Sequence, residues 1–153
     1  FQNKLHYMDY DLFEYRHGTI NDHSDAMRLL SMKIGLEIWK SNPILGVGSG
    51  DLENATNALY ETKYTDISVA NRRTPHNQFI WVLASTGIVG LVFFLLAFFY
   101  PFIVMRHYKY LPLVILYIII FSSFFSEVTL EEQMGTAFYL IFLLLFLNHL
   151  QQE

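Results

Sequence analysis

Two textures divide the chain. Up to about residue 77 apolar positions fall at intervals that mark one face of a helix, and beyond it they run on almost unbroken. In "SDAMRLLSMKIGLEIWK" (24–40), Met27, Leu30, Ile34 and Ile38 recur at helical spacing, with Leu29 and Leu36 widening the stripe. That pattern predicts an amphipathic helix capped by Ser24 or Asp22. The pair Asn42–Pro43 stops it, because the residue before a proline is pushed out of the α region. "GVGSG" (46–50) predicts a loop, and "DLENATNALYETKY" (51–64) a second helix with Asp51 at its N-cap. Residues 65–73 are polar and turn-like.

Three apolar runs follow, near 79–105, 110–125 and 130–147. At roughly 1.5 Å per residue the first is long enough to cross about 30 Å of hydrocarbon with tilt, and Pro101 is expected to kink or end its final turn. Pro112 suits the first turn of the second run, and Thr129 with Glu132 matches a capping box that predicts a helix start there. The expected fold is all-α. It is an integral membrane protein fragment with three transmembrane helices (78–153), preceded by a helical periplasmic loop (1–77).

Charge sharpens the division. Of 10 Lys and Arg, all but Arg106 and Lys109 precede residue 78, and of 14 Asp and Glu only Glu127, Glu131, Glu132 and Glu153 follow it. Arg106 and Lys109 place the short loop 106–109 in the cytoplasm by the positive-inside rule. Residues 1–77 and 126–133 then face outward, which in a Gram-negative cell is the periplasm. The net charge of −4 is spread along the chain and leaves no nucleic-acid footprint. With no cysteine, the chain has no disulfide, thiol nucleophile or thiolate metal site. Because it opens on the polar run "FQNKLHYMDY", the expectation is the C-terminal piece of a longer protein whose other transmembrane helices precede it.

Candidate chemistry gathers in "RRTPHN" (72–77), at the mouth of the first apolar run. Thr74 makes a good N-cap and Pro75 a good first helical residue, which places His76 and Asn77 in the opening turn at the outward end. A helix N-terminus favours a phosphate nearby and disfavours imidazolium, so a neutral His76 there is able to accept a proton beside Arg72 and Arg73. The same residues also suit a simple polar helix start that touches lipid headgroups.

Other signals carry less. "GVGSGD" lacks both the spacing and the lysine of a nucleotide loop. His6, His17, His23, Asp9, Asp11, Asp22 and Asp25 form no metal-ligand pattern. Gly87 and Gly90 suit close helix packing, and Glu127, Glu131 and Glu132 suit capping and solvation, although they share the outward face with His76. Tyr60, Tyr64 and Trp81 fit a lipid or sugar path as well as an interface. Arg28, on the polar face of its helix with Lys33 and Lys40, is by itself a surface residue.

The combination "R…W…NPILGVGSG…PHNQFIWVLASTGIVGLVFF" resembles the O-antigen ligase and O-antigen polymerase superfamily. The matching positions are Arg28, Trp39, Asn42, Pro43, Gly46, Gly48, His76, Asn77, Phe79 and Gly87. The resemblance covers about 24–100 and implies a metal-independent membrane glycosyltransferase of the bacterial inner membrane that needs no cofactor. It implies that a glycan moves from undecaprenyl pyrophosphate to an acceptor hydroxyl, on lipid A core in a ligase. Carried over by position, His76 is the general base and Arg28 holds the donor pyrophosphate, with Arg72, Arg73 and Asn77 as further substrate-binding candidates. A repeat-unit polymerase and a protein O-oligosaccharyltransferase are alternatives within the superfamily. A non-catalytic transporter or scaffold is the alternative outside it.

Overall fold

A computed structural model describes residues 24–103 and 109–151, so Arg106, His6, His17, His23, Asp9, Asp11 and Asp22 lie outside the described residues. Every regular element among the described residues is helical. The elements are α1 (Ser24–Ser41), α2 (Leu52–Thr62), a short 3-10 turn (Val69–Asn71), α3 (Gln78–Ile103), α4 (Leu111–Ser123) and α5 (Gln133–Gln151).

The stripe of α1 is the core. Met27, Leu30, Ile34 and Ile38 are buried together with Leu52 and Tyr60 of α2, Ile67 and Ala84, while Leu36 turns outward. Pro75 and Ile80 press onto α1 where Gly35 leaves room; a Cβ there would stand 2.6 Å from each. Lys63 donates to both oxygens of Glu37 at 2.9 Å, and the Tyr64 hydroxyl donates to the same carboxylate at 3.1 Å. This pins α2 to α1. Asp51 holds the N-cap position of α2 but makes no side-chain cap bond.

By length and composition, two helices are able to cross a membrane: Gln78–Ile103 and Gln133–Leu150. The second expected span, α4, has 13 residues and at about 1.5 Å per residue reaches about 20 Å. It packs against α5 and α3 through Phe98, Leu113, Leu116, Tyr117, Ile120 and Phe124.

α3 is not straight. Pro101 lies inside its last turn, yet the break is at Gly87, with φ 67° and ψ −169°. Along a straight helix Phe79 and Phe94 would be about 22 Å apart. Their rings instead meet at 6.5 Å, so the two arms fold toward each other. The loop after α1 fills the break. Ile88 and Val89 donate to the carbonyls of Pro43 (3.0 Å) and Ile44 (3.3 Å), and Val47 and Gly48 donate to those of Ala84 (3.1 Å) and Ser85 (2.7 Å). The Trp39 indole N–H takes the other side of the Pro43 carbonyl at 3.1 Å. Gly46 and Gly87 both have positive φ, and a Cβ on either would collide with the opposing backbone. Gly87, expected as a packing position, is therefore the fold point.

The expected start of α5 at the Thr129–Glu132 box does not form. The Thr129 hydroxyl bonds Ser123 at 2.7 Å and the Leu130 amide donates to Gln78 at 2.9 Å, so residues 124–132 form an irregular turn and the helix begins at Gln133.

Two outcomes are expected. Gly87→Ala and Gly46→Ala each lower the unfolding free energy by about 1–3 kcal/mol through left-handed backbone strain alone, whereas Gly50→Ala, with nothing within 4 Å, leaves it unchanged in thermal unfolding. Burial raises the Glu37 carboxyl, but the bonds from Lys63 and Tyr64 and the charges of Lys63 and Lys33 outweigh it and hold it below its usual 4.5. Its contribution is then complete above about pH 4.5 and disappears as pH falls through the depressed value. Melting temperature against pH should show this acid limb, and Glu37→Gln should flatten it.

Candidate functional site

The helix that follows "RRTPHN" starts later than its cap residues suggest. α3 begins at Gln78, and Asn77 is the working cap, its Oδ1 accepting the Ile80 amide at 3.1 Å. Thr74 and Pro75 lie outside the helix, because Pro75 is buried against Gly35 and the Ser31 hydroxyl captures the His76 amide at 3.3 Å. His76 thus precedes the helix instead of sitting in its opening turn, and the group that faces its ring is a carboxylate.

That carboxylate is Glu127, in the turn between α4 and α5. Its Oε1 accepts Arg28 Nη2 at 3.0 Å, and its Oε2 lies 3.5 Å from His76 Nδ1. The carboxylate thus faces the Nδ1 edge of the ring, and Nε2 is the nitrogen on the other side. Arg28 and Glu127 are each about two-fifths exposed and the His76 side chain 29%, so the cluster is open to a ligand. Arg28 spends one donor on Glu127, and its Nε is buried with no partner among the described residues. Ser31 joins Arg28 and His76 through their backbones, donating to the Arg28 carbonyl at 2.8 Å while it holds the His76 amide.

The sequence "HNQF" is a strap across the α4–α5 turn. His76 meets Glu127, Asn77 Nδ2 donates to the Phe125 carbonyl (3.2 Å), and the Gln78 amide donates to that of Phe124 (3.0 Å). The fully buried Gln78 side chain accepts the Leu130 amide, and the Phe79 ring packs edge-on to Phe124 and Phe125. Asn77 is consequently 9% exposed and committed to the fold.

Arg72 and Arg73 stand apart from this cluster. Arg72 is paired with Glu61 at 3.1 Å, with its guanidinium 5.9 Å over the Tyr60 ring. Arg73 is fixed through its backbone: the Tyr60 hydroxyl donates to its carbonyl (3.2 Å) and accepts from its amide (3.3 Å). The Arg73 guanidinium has no hydrogen bond or ion pair among the described residues.

Glu127 is the member that sequence reasoning set aside as a capping residue. The available signal was its position: an acid on a turn in the acid-poor half of the chain. Burial pushes the nearby Glu131 carboxyl up, but that residue joins no contact of the cluster.

The family model described as O-antigen ligase matches residues 5–95, more than half of the chain. No curated protein and no solved structure matches it. The chain belongs to the O-antigen ligase family, whose members are membrane-associated enzymes that work on lipid-linked glycans.

Proposed function

We propose that the Arg28–Glu127–His76 cluster is the transfer site of a ligase that moves a glycan from undecaprenyl pyrophosphate to a hydroxyl of lipid A core. The observation that carries this is the meeting of Arg28 and His76, distant in sequence, on one carboxylate at an open face. In the proposed topology, residues 1–77 and the 126–133 turn face the periplasm, and 78–153 lie in the inner membrane with helices contributed by the rest of the protein.

The acceptor hydroxyl gives its proton to His76 Nε2 as its oxygen bonds to the anomeric carbon of the donor sugar. The carbon–oxygen bond to pyrophosphate breaks, and the electron pair leaves with the pyrophosphate. His76 then returns its proton to the leaving group or to water. Glu127 holds the ring in the base-competent tautomer and balances the imidazolium that forms. Arg28, permanently charged and about two-fifths exposed, supports the pyrophosphate as charge builds on it. Arg73, whose guanidinium has no bonded partner among the described residues, can add a second cation, while Arg72 must first leave Glu61.

The test uses the full-length protein in its native host, deleted and complemented. His76→Ala is expected to cut transfer by about 10²–10⁴-fold, with long lipid-linked glycan accumulating and none on lipid A core. Arg28→Ala should fail as well, and Glu127→Gln should lose part of the rate while membrane levels stay normal. Single repeats left on the core would identify a polymerase instead, and glycan missing from protein alone a protein O-oligosaccharyltransferase. Full complementation by both His76→Ala and Arg28→Ala would return the cluster to a structural role.

A further inference from the structure

Residues 41–50, "SNPILGVGSG", carry no charge and lie between Lys40 and Asp51. By sequence they belong to the aqueous half of the chain. Their tip is nevertheless apolar and outward: Ile44 is 63% and Leu45 73% exposed. The tip is bonded to the first amides of the second arm of α3, since Val89 donates to the Ile44 carbonyl and Ile88 to that of Pro43. That arm presents Ile88, Val89, Val92, Phe93 and Leu96 outward, so Ile44 and Leu45 extend a surface that already belongs to an apolar helix.

Irregular backbone tolerates hydrocarbon only where protein satisfies its polar groups. Much of the loop that carries the tip is satisfied in this way. Gly46 donates to the Asn42 carbonyl at 2.9 Å, Val47 and Gly48 donate to Ala84 and Ser85, and the Pro43 and Ile44 carbonyls are both taken. Beside it stand the residue types of a headgroup boundary: Trp39, whose indole holds Pro43, and the exposed Lys40, whose long stem lets its charge reach water.

We infer that the Ile44–Leu45 tip is inserted among the acyl chains of the outer leaflet. Lipid is its partner, and the tip anchors the end of α1 to the bilayer, setting the height at which that helix presents Arg28. The inference rests on the proposed membrane placement of α3.

The chain itself has no cysteine, and any cysteine elsewhere in the full-length protein is first replaced by serine so that each label is single. In the full-length protein reconstituted in phosphatidylglycerol–phosphatidylethanolamine bilayers, a nitroxide would be placed at Ile44→Cys or Leu45→Cys. Leu96→Cys serves as the apolar-arm control and Glu53→Cys as the exposed aqueous control. Collision rates with oxygen and with a water-soluble nickel chelate are then compared. The expected result is that positions 44 and 45 follow Leu96, with a several-fold higher oxygen-to-nickel ratio than Glu53. If they follow Glu53 while Leu96 reports lipid, the anchor is overturned and the placement of α3 stands. If both reagents are excluded from 44 and 45, protein covers the tip, as a second copy or another segment, and the lipid assignment is equally overturned. If Leu96 itself reports water, the membrane placement of α3 falls and the anchor with it.

Discussion

Everything in this chain hangs on how a broken helix is repaired. A break at Gly87 frees amides on one arm and carbonyls on the other, and each left buried and unpaired would cost about 1–3 kcal/mol. The loop 43–48 supplies matching groups in the same order, carbonyls to Ile88 and Val89 and amides to Ala84 and Ser85. The match requires two backbones at contact distance, so Gly46 and Gly87 face each other without side chains. Trp39 fixes the loop by holding the Pro43 carbonyl that Ile88 also uses. The spacing of tryptophan, proline and glycines in the sequence is thus a set of parts for one joint.

That joint determines where the chemistry falls. With the loop locked into the fold point, α1 lies along the first arm of α3, and Gly35 lets it settle onto Pro75 and Ile80. Arg28 then arrives beside His76, both reached by Ser31. The other side of the candidate site comes from the strap: three consecutive residues, His76, Asn77 and Gln78, grip the 124–130 turn and carry Glu127 to Arg28 and His76. Residues 5–95 carry the family match, so Glu127 is drawn from outside it, which shows how far the site depends on the later helices.

Much of this was legible beforehand. The stripe Met27, Leu30, Ile34 and Ile38, the stop at Asn42–Pro43 and the apolar character of the last three helices follow from periodicity and proline sterics, which are local. Arg28 and His76 were legible only as matches to a family pattern, since neither has a local signature stronger than that of a surface residue. The misplaced helix starts have a common cause. Thr74 and Thr129 are competent caps, but burial of Pro75 and capture of the Leu130 amide by Gln78 gave the backbone better partners elsewhere.

The sequence alone determined the all-helical class and the polar and apolar halves, because these rest on composition and on interactions within a few residues. Tertiary structure decided that Gly87 is a fold point, that Asn77 caps α3, and that Glu127 joins Arg28 to His76. The fold point and the Glu127 contacts depend on hydrogen bonds or close approaches between segments about 40 to 100 residues apart, and Asn77, whose cap bond is local, is held in place by its bond to Phe125, 48 residues away. Nothing in the local sequence sets such a pairing; it is fixed by which buried backbone groups remain to be satisfied once the helices have packed.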